Sequence, residues 1–243
     1  MKSIFTLVLL FLMCAILKPQ TNFENDIIKT NSGDLKITFI GHGTLMFEFN
    51  NLIIHIDPVS RYADYTKLPK ADLILITHQH GDHLDSLAIE AIRKNSTVLY
   101  CNRASHPKAQ FGTVVENGEL TEFRGIEIEA VPAYNIINKR ENGTPFHPKG
   151  EGNGYVLTFA DKKVYIAGDT ENIPEMKDLK NIDVAFLPMN LPYTMTPQMV
   201  ADAVNTFNPK ILYPYHFGKS NVNELVPLLK DKKDFEIRIR KME

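Results

Sequence analysis

Short apolar runs separated by turn residues dominate the chain from residue 34 onward. Lys36-Ile37-Thr38-Phe39 alternates polar and apolar, as a strand with one covered face does. Leu45–Phe49 and Leu52–Ile56 predict two more strands, and Asn50-Asn51 between them is a tight-hairpin pair. Asp72–Ile76 is continuously apolar after its first residue, the pattern of a strand covered on both faces. Asp85 or Ser86 then caps a helix carrying Leu87, Ala88, Ala91 and Ile92 on one face. Further strands are expected at 97–101, 113–115, 126–131, 184–187, 211–213 and 235–239, with a helical turn at 107–110 and a hairpin over 155–167 turning at Asp161-Lys162. Thr196-Pro197 opens a helix to about Phe207, and Asn221 opens another through Leu229. Residues 21–34 read as a loose polar lead-in, and 132–154, rich in Gly, Pro and Asn, as one long loop, of a length that is usually functional or disordered.

Composition fits this picture without altering it. A chain of 243 residues, 44% hydrophobic and 23% charged, suits one globular domain with ample core. The first 20 residues differ: Met1-Lys2-Ser3, an apolar stretch from Ile4 to Leu17, then Lys18-Pro19-Gln20. That is the layout of a secretory signal peptide preceding a domain at 21–243, so the mature protein is expected to be exported, periplasmic or secreted. The alternative is retention of the segment as a membrane anchor; otherwise no stable membrane partner is expected. Cleavage leaves Cys101 alone, so no internal disulfide can form, and its strand context predicts a buried, inert thiol. A formal charge of -2 and the lack of long basic runs argue against nucleic acid as an obligate partner. A small-molecule substrate is the expected partner, and the oligomeric state is open.

The chemistry gathers at strand ends. Thr77-His78-Gln79-His80-Gly81-Asp82-His83 follows the apolar run 73–76 and holds three imidazoles and a carboxylate, donors that divalent metals prefer. Histidines two apart in extended chain point the same way, so His78 and His80 can grip one ion. Past Gly81 the chain can turn, bringing Asp82 and His83 towards a second. Gly168-Asp169-Thr170 and Pro214-Tyr215-His216 place a carboxylate and an imidazole after two later strands. His42, between Gly41 and Gly43, is a candidate pocket residue, His55 a packed core histidine, and His106 a surface one.

With these residues in view, the chain closely resembles the metallo-β-lactamase superfamily over roughly residues 34–240. That family carries His-x-His-x-Asp-His after a strand, then an Asp in a Gly-Asp context, then a late His. His78, His80, Asp82, His83, Asp169 and His216 stand at those places, and Gly41-His42-Gly43 and Ile56-Asp57-Pro58 look like its early turns. The resemblance implies an α/β (α+β) fold, a four-layer αβ/βα sandwich of two mixed sheets with helices outside. It also implies two divalent ions, zinc first, with manganese or iron as alternatives. His78 and His80 would bind the first ion, Asp82, His83 and His216 the second, and Asp169 would bridge them. The family usually supplies a third histidine to the first ion after a mid-chain strand, where this sequence reads Val131-Pro132-Ala133-Tyr134-Asn135. His147, in the same long loop, is the candidate replacement; Asn135, Tyr134 or water are its rivals.

Two ions ~3.5–4 Å apart can lower the pKa of a shared water towards about 7. The implied reaction is therefore hydrolysis of an ester, lactone, amide or phosphodiester, with Asp82 as the catalytic candidate that orients the nucleophile or takes its proton. Tyr134, Asn135, Tyr193 and Lys219 are candidate substrate contacts. The branch that includes sugar-lactone hydrolases and N-acyl-phospholipid phosphodiesterases looks nearest. The rival reading is a non-catalytic metal- or ligand-binding protein on the same fold.

Overall fold

The computed structural model describes residues 23–242. The expected signal segment at 1–20 lies outside them. Among the described residues, no helix is long and apolar enough to cross a membrane.

Two seven-stranded sheets form the frame. The first contains β1 (Asn25–Thr30), β2 (Gly33–Gly41), β3 (Thr44–Phe49), β4 (Leu52–Ile56), β5 (Leu73–Ile76), β6 (Val98–Cys101) and β7 (Thr113–Val114), in chain order. The second contains β8 (Leu120–Phe123), β9 (Ile126–Ala133), β10 (Gly152–Phe159), β11 (Lys162–Ile166), β12 (Val184–Pro188), β13 (Ile211–Tyr215) and β14 (Glu236–Ile237), also in chain order. Each sheet begins as four antiparallel strands and continues as parallel ones. The fold thus repeats one plan twice, and the C-terminal ends of the parallel strands are where open sheets place ligands.

Apolar side chains from both sheets interdigitate between them, Leu35, Ile37, Phe47 and Ile54 against Tyr155, Leu157, Phe159 and Phe186. On the outer face of the first sheet, α1 (Ser86–Ile92) packs Ala88, Ile89 and Ile92 onto Ile74, Ile76 and Leu99. A short helix, α2 (His106–Ala109), follows β6. On the outer face of the second sheet, α3 (Pro197–Phe207) and α4 (Leu225–Leu229) cover Ala185, Leu187 and Leu212. The order is helix, sheet, sheet, helix, the four-layer sandwich expected.

Local chemistry explains most boundaries. Asn50 and Asn51 both take positive φ (47° and 63°), which the tight β3–β4 turn requires. Asp85 caps α1 by accepting from the Leu87 amide at 2.9 Å. Thr196 caps α3 through the Met199 amide at 3.1 Å, with Pro197 at the first helical position.

Four expectations need correction. Residues 25–30 are a strand rather than lead-in; β1 is an edge strand burying only Ile28, so its periodicity is faint. β8 was not expected, for the same reason: Leu120 is exposed and only Phe123 is buried. Leu87 points to solvent, and Ile89 takes the core position beside Ala88 and Ile92. The last strand is confined to Glu236–Ile237. Cys101 is buried and free, and burial pushes its thiol up to about 11.

Candidate metal centre

The cluster is built on Asp57, the residue that follows β4. Its backbone is left-handed (φ 46°) and its carboxylate is fully buried. Oδ1 accepts from the Thr77 amide at 2.7 Å; Oδ2 accepts from Thr77 Oγ1 at 2.6 Å and from His83 Nδ1 at 2.8 Å. Burial pushes the Asp57 carboxyl up, against the pull of His83 and Thr77. Because His83 donates from Nδ1, its Nε2 faces the cluster and is the atom that would give its lone pair to an ion, the usual way a carboxylate orients a ligating imidazole.

Thr77 does the same for His78. Its hydroxyl proton goes to Asp57, so Oγ1 accepts from His78 Nδ1 at 3.1 Å. His78 Nε2 then faces His80 Nδ1 at 3.0 Å and Asp169 Oδ2 at 3.8 Å.

Asp169 sits where the loop after β11 turns. Gly168 has φ 65°, and a Cβ there would meet the Asn153 carbonyl oxygen at 2.8 Å, so only glycine lets the carboxylate enter. Asp169 Oδ1 lies 3.4 Å from His83 Nε2, and Oδ2 lies 3.4 Å from His216 Nε2 and 3.1 Å from His147 Nε2. Burial opposes its charge, but His216, His83 and His147 hold its carboxyl well below the usual carboxylate range. His83 shows the reciprocal effect: burial opposes its protonation, yet Asp169, Asp57 and Asp82 raise it to about 9. His78 is pushed down by burial and by His83, and His80 falls to about 4 through burial and His147.

His216 follows β13 with φ 45°, and its amide donates to the His42 carbonyl at 3.0 Å. His42 itself is left-handed (φ 54°), and its amide donates to the Met242 carbonyl. Its ring stacks on Tyr62, and its Nε2 lies 3.3 Å from Asp82 Oδ2. Burial raises the Asp82 carboxyl, but His216 and His42 more than reverse this and hold it far below its usual value.

His147 arrives from the long loop between β9 and β10, and the loop is firmly held. Glu171, buried just past Asp169, accepts from the amides of Ile136 (2.9 Å), Ile137 (2.8 Å) and Asn138 (2.6 Å) and from Asn135 Nδ2 at 3.2 Å. Asn135 Oδ1 accepts from the His147 amide at 2.8 Å and from His147 Nδ1 at 2.7 Å. Asn135 Nδ2 also donates to the Tyr193 carbonyl at 2.9 Å, so the amide orientation is fixed by its partners. His147 therefore turns its Nε2 to the cluster, 3.1 Å from Asp169 Oδ2.

Three groups result, each with ligand atoms within 4.8 Å of one another: His78, His80 and His147; His42, Asp82, His83 and His216; and His78, His83 and Asp169. All seven candidate ligands named from the sequence are brought together. His83 Nε2, Asp169 Oδ1 and both ring nitrogens of His216 are buried without a hydrogen-bond partner. Buried polar atoms are rarely left so. Atoms of this kind facing one another fit divalent ions as their missing partners.

A cavity of about 420 Å³ opens over His80, Asp82, His147, Asp169 and His216, and Arg140, Phe146, Asn190 and Tyr193 complete its wall. Of the four candidate substrate contacts, Tyr193 is there. Asn135 stands behind His147 as its anchor. The Tyr134 hydroxyl donates to Glu175 at 2.9 Å, away from the cavity lining, and Lys219 is exposed and outside that lining. Asp57, Glu171 and Arg140 are the residues that sequence reasoning missed. Only Asp57 left a trace there, as a carboxylate ending a strand. A second cavity, about 380 Å³, lies against Val131, Val156, Tyr165 and Leu179 and contains none of the ligand candidates.

Residues 36–216 match a family model described as "Beta-lactamase superfamily domain". A UPF0173 metal-dependent hydrolase from Methanopyrus kandleri is 32% identical over 221 residues, covering 86% of this chain and 93% of that protein. The crystal structure of a protein assigned to the metal-dependent hydrolases in Parabacteroides distasonis is 52% identical, with a TM-score of 0.87 over 91% of this chain and 100% of that one. CmlA, a diiron β-hydroxylase from Streptomyces venezuelae, is 17% identical with a TM-score of 0.68, over 88% of this chain and 54% of that one. The last likeness is one of fold alone.

Proposed function

The chain belongs to the metallo-β-lactamase superfamily, as a relative of its metal-dependent hydrolases, and we propose that it hydrolyses an ester, lactone, amide or phosphodiester of a small substrate at a centre of two divalent ions. The observation that carries this reading is that His83 Nε2, Asp169 Oδ1 and His216 Nε2 are buried and without a hydrogen-bond partner, with both nitrogens 3.4 Å from the Asp169 carboxylate. His78, His80 and His147 would hold one ion, and Asp82, His83 and His216 the other, with Asp169 between them. Five imidazoles and two carboxylates suit zinc, and manganese or iron is the alternative. Such ions supply Lewis acidity, bringing the pKa of water from 15.7 towards about 7.

The chain's own residues set the rest. Asp57 and Thr77 fix the tautomers of His83 and His78, and Asn135 fixes that of His147. Asp82, held as a carboxylate by His216 and His42, is suited to accept a hydrogen bond from the attacking water and orient it; a carboxyl so acidic is a poor store for a proton. Hydrolysis adds the hydroxyl of water to the acyl or phosphoryl centre and delivers its proton to the leaving oxygen or nitrogen. The cavity volume matches a small molecule, and no nucleic acid is needed.

The test is metal content and turnover of the reconstituted protein on a phosphodiester, a lactone and nitrocefin, with His80→Ala and Asp169→Ala as controls. Turnover that both variants abolish is expected. Full metal loading with no turnover on a wide panel would point instead to a binding protein.

A further inference from the structure

Beyond its ligand candidates, the cavity over the cluster is walled by one charged side chain, Arg140, with Phe146, Tyr193 and Asn190. Its only carboxylates are Asp82 and Asp169, both turned to the histidines. Arg140 is exposed, but its backbone is held in place. Residues 139–145 form a small hairpin, with Lys139 bridged to Pro145, the Arg140 amide donating to Thr144 O at 2.8 Å, and the Gly143 amide donating to Arg140 O at 2.9 Å. The guanidinium lies over the Phe146 ring, 5.1 Å from its centroid, and Phe146 meets Tyr193 edge to face at 5.0 Å. Glu171 pins the start of the same loop through three backbone amides. Among the described residues no carboxylate pairs with Arg140. Its one side-chain hydrogen bond is a long one, 3.4 Å to the Phe146 carbonyl, so most of its donors are uncommitted.

We propose that Arg140, Phe146 and Tyr193 form a specificity subsite for a substrate carrying an anionic group, a carboxylate or a phosphate, on an apolar body, with the anion on Arg140 and the body against the two rings. A planar guanidinium receives either anion by paired hydrogen bonds, and its contact with the Phe146 ring keeps it beside the cavity. The inference deepens the hydrolase reading and rests on it for the reacting end of the substrate.

The zinc-reconstituted protein is assayed with mono-4-nitrophenyl adipate and 4-nitrophenyl hexanoate, which differ by a terminal carboxylate. The readout is the ratio of the two kcat/KM values within each preparation, so partial loss of fold or metal cancels. Arg140→Ala should lower the adipate-to-hexanoate ratio about tenfold, mainly through KM, and Arg140→Lys should keep part of the preference. A ratio unchanged in Arg140→Ala overturns the proposal. Should neither ester turn over, the hydrolase reading loses support, and the subsite is read separately by calorimetry. Adipate should then bind more tightly than hexanoate to the wild type, with the difference lost in Arg140→Ala; an equal difference in both proteins overturns it. Substituting 5-phosphonopentanoate for adipate decides which anion is preferred.

Discussion

Asp57→Asn exchanges one oxygen for an amide nitrogen in a fully buried site and should strike metal binding while sparing the fold. The wild-type carboxylate accepts three donors: the Thr77 amide, Thr77 Oγ1 and His83 Nδ1. An asparagine has one acceptor oxygen. Turned towards the Thr77 amide, it keeps that bond and sets its NH2 against Thr77 Oγ1 and His83 Nδ1. The hydroxyl can rotate to accept. His83 must change tautomer, moving its proton to Nε2. Turned the other way, the amide opposes the Thr77 N–H and leaves it unpaired, at a cost of roughly 1–3 kcal/mol. The first orientation wins, and His83 then aims an N–H rather than a lone pair at the cluster. In the metal-free protein that N–H has Asp169 Oδ1 at 3.4 Å, so folding is largely preserved. Losing an orienting partner of this kind typically lowers metal affinity 10–100-fold, which is about 1.4–2.7 kcal/mol. Competition against a chromophoric chelator measures the affinity, and thermal unfolding of the metal-free protein supplies the control. Wild-type affinity for both ions in Asp57→Asn would refute the reasoning.

Other perturbations separate the frame from the loop. Glu171→Ala removes the acceptor for three amides and Asn135 Nδ2; about 2–3 kcal/mol of stability should go, and hydrogen exchange should speed up at 135–147 while β5 stays protected. Gly168→Ala forces a Cβ to within 2.8 Å of the Asn153 carbonyl at a left-handed φ. It should cost about 1–3 kcal/mol from backbone strain alone, readable as a lower urea midpoint, and an unchanged midpoint would show that the turn relaxes freely. His55 is buried and neutral, its pKa pushed down by burial to about 4 from 6.5, with the Pro69 carbonyl hydrogen bond opposing. The unfolded chain binds that proton more readily, so the His55 contribution to stability is present above about pH 6.5 and lost as pH falls towards 4. The loss approaches ~3 kcal/mol at 1.36 kcal/mol per unit. His55→Gln should flatten this part of the urea-midpoint profile, and parallel wild-type and variant profiles would remove His55 as its source.

The candidate ligands were legible because their chemistry is concentrated. Three imidazoles and a carboxylate within six residues, just after an apolar run, have few uses besides gripping a metal, and Asp169 and His216 follow strands plain from their apolar runs. Edge strands were harder. β1 and β8 each bury little, so neither shows a covered face. The supporting residues were hidden for a different reason. Glu171 matters because it meets backbone amides 33–35 positions earlier in the chain. No local spacing encodes that encounter. Asn135 offered only its residue type, which fits a substrate contact as well as an anchor for His147. Arg140 looks like any charged loop residue until Phe146 and the cavity are seen around it.

In the proposed centre His147 completes a first ion site beside a second one, with Asp169 between them. Anomalous diffraction at the zinc edge from crystals of the zinc-loaded protein tests it directly. Two peaks ~3.5–4 Å apart are predicted, one in coordination reach of His78, His80 and His147, the other of Asp82, His83 and His216. A single peak, or a first peak that His147 Nε2 does not approach, would contradict the account.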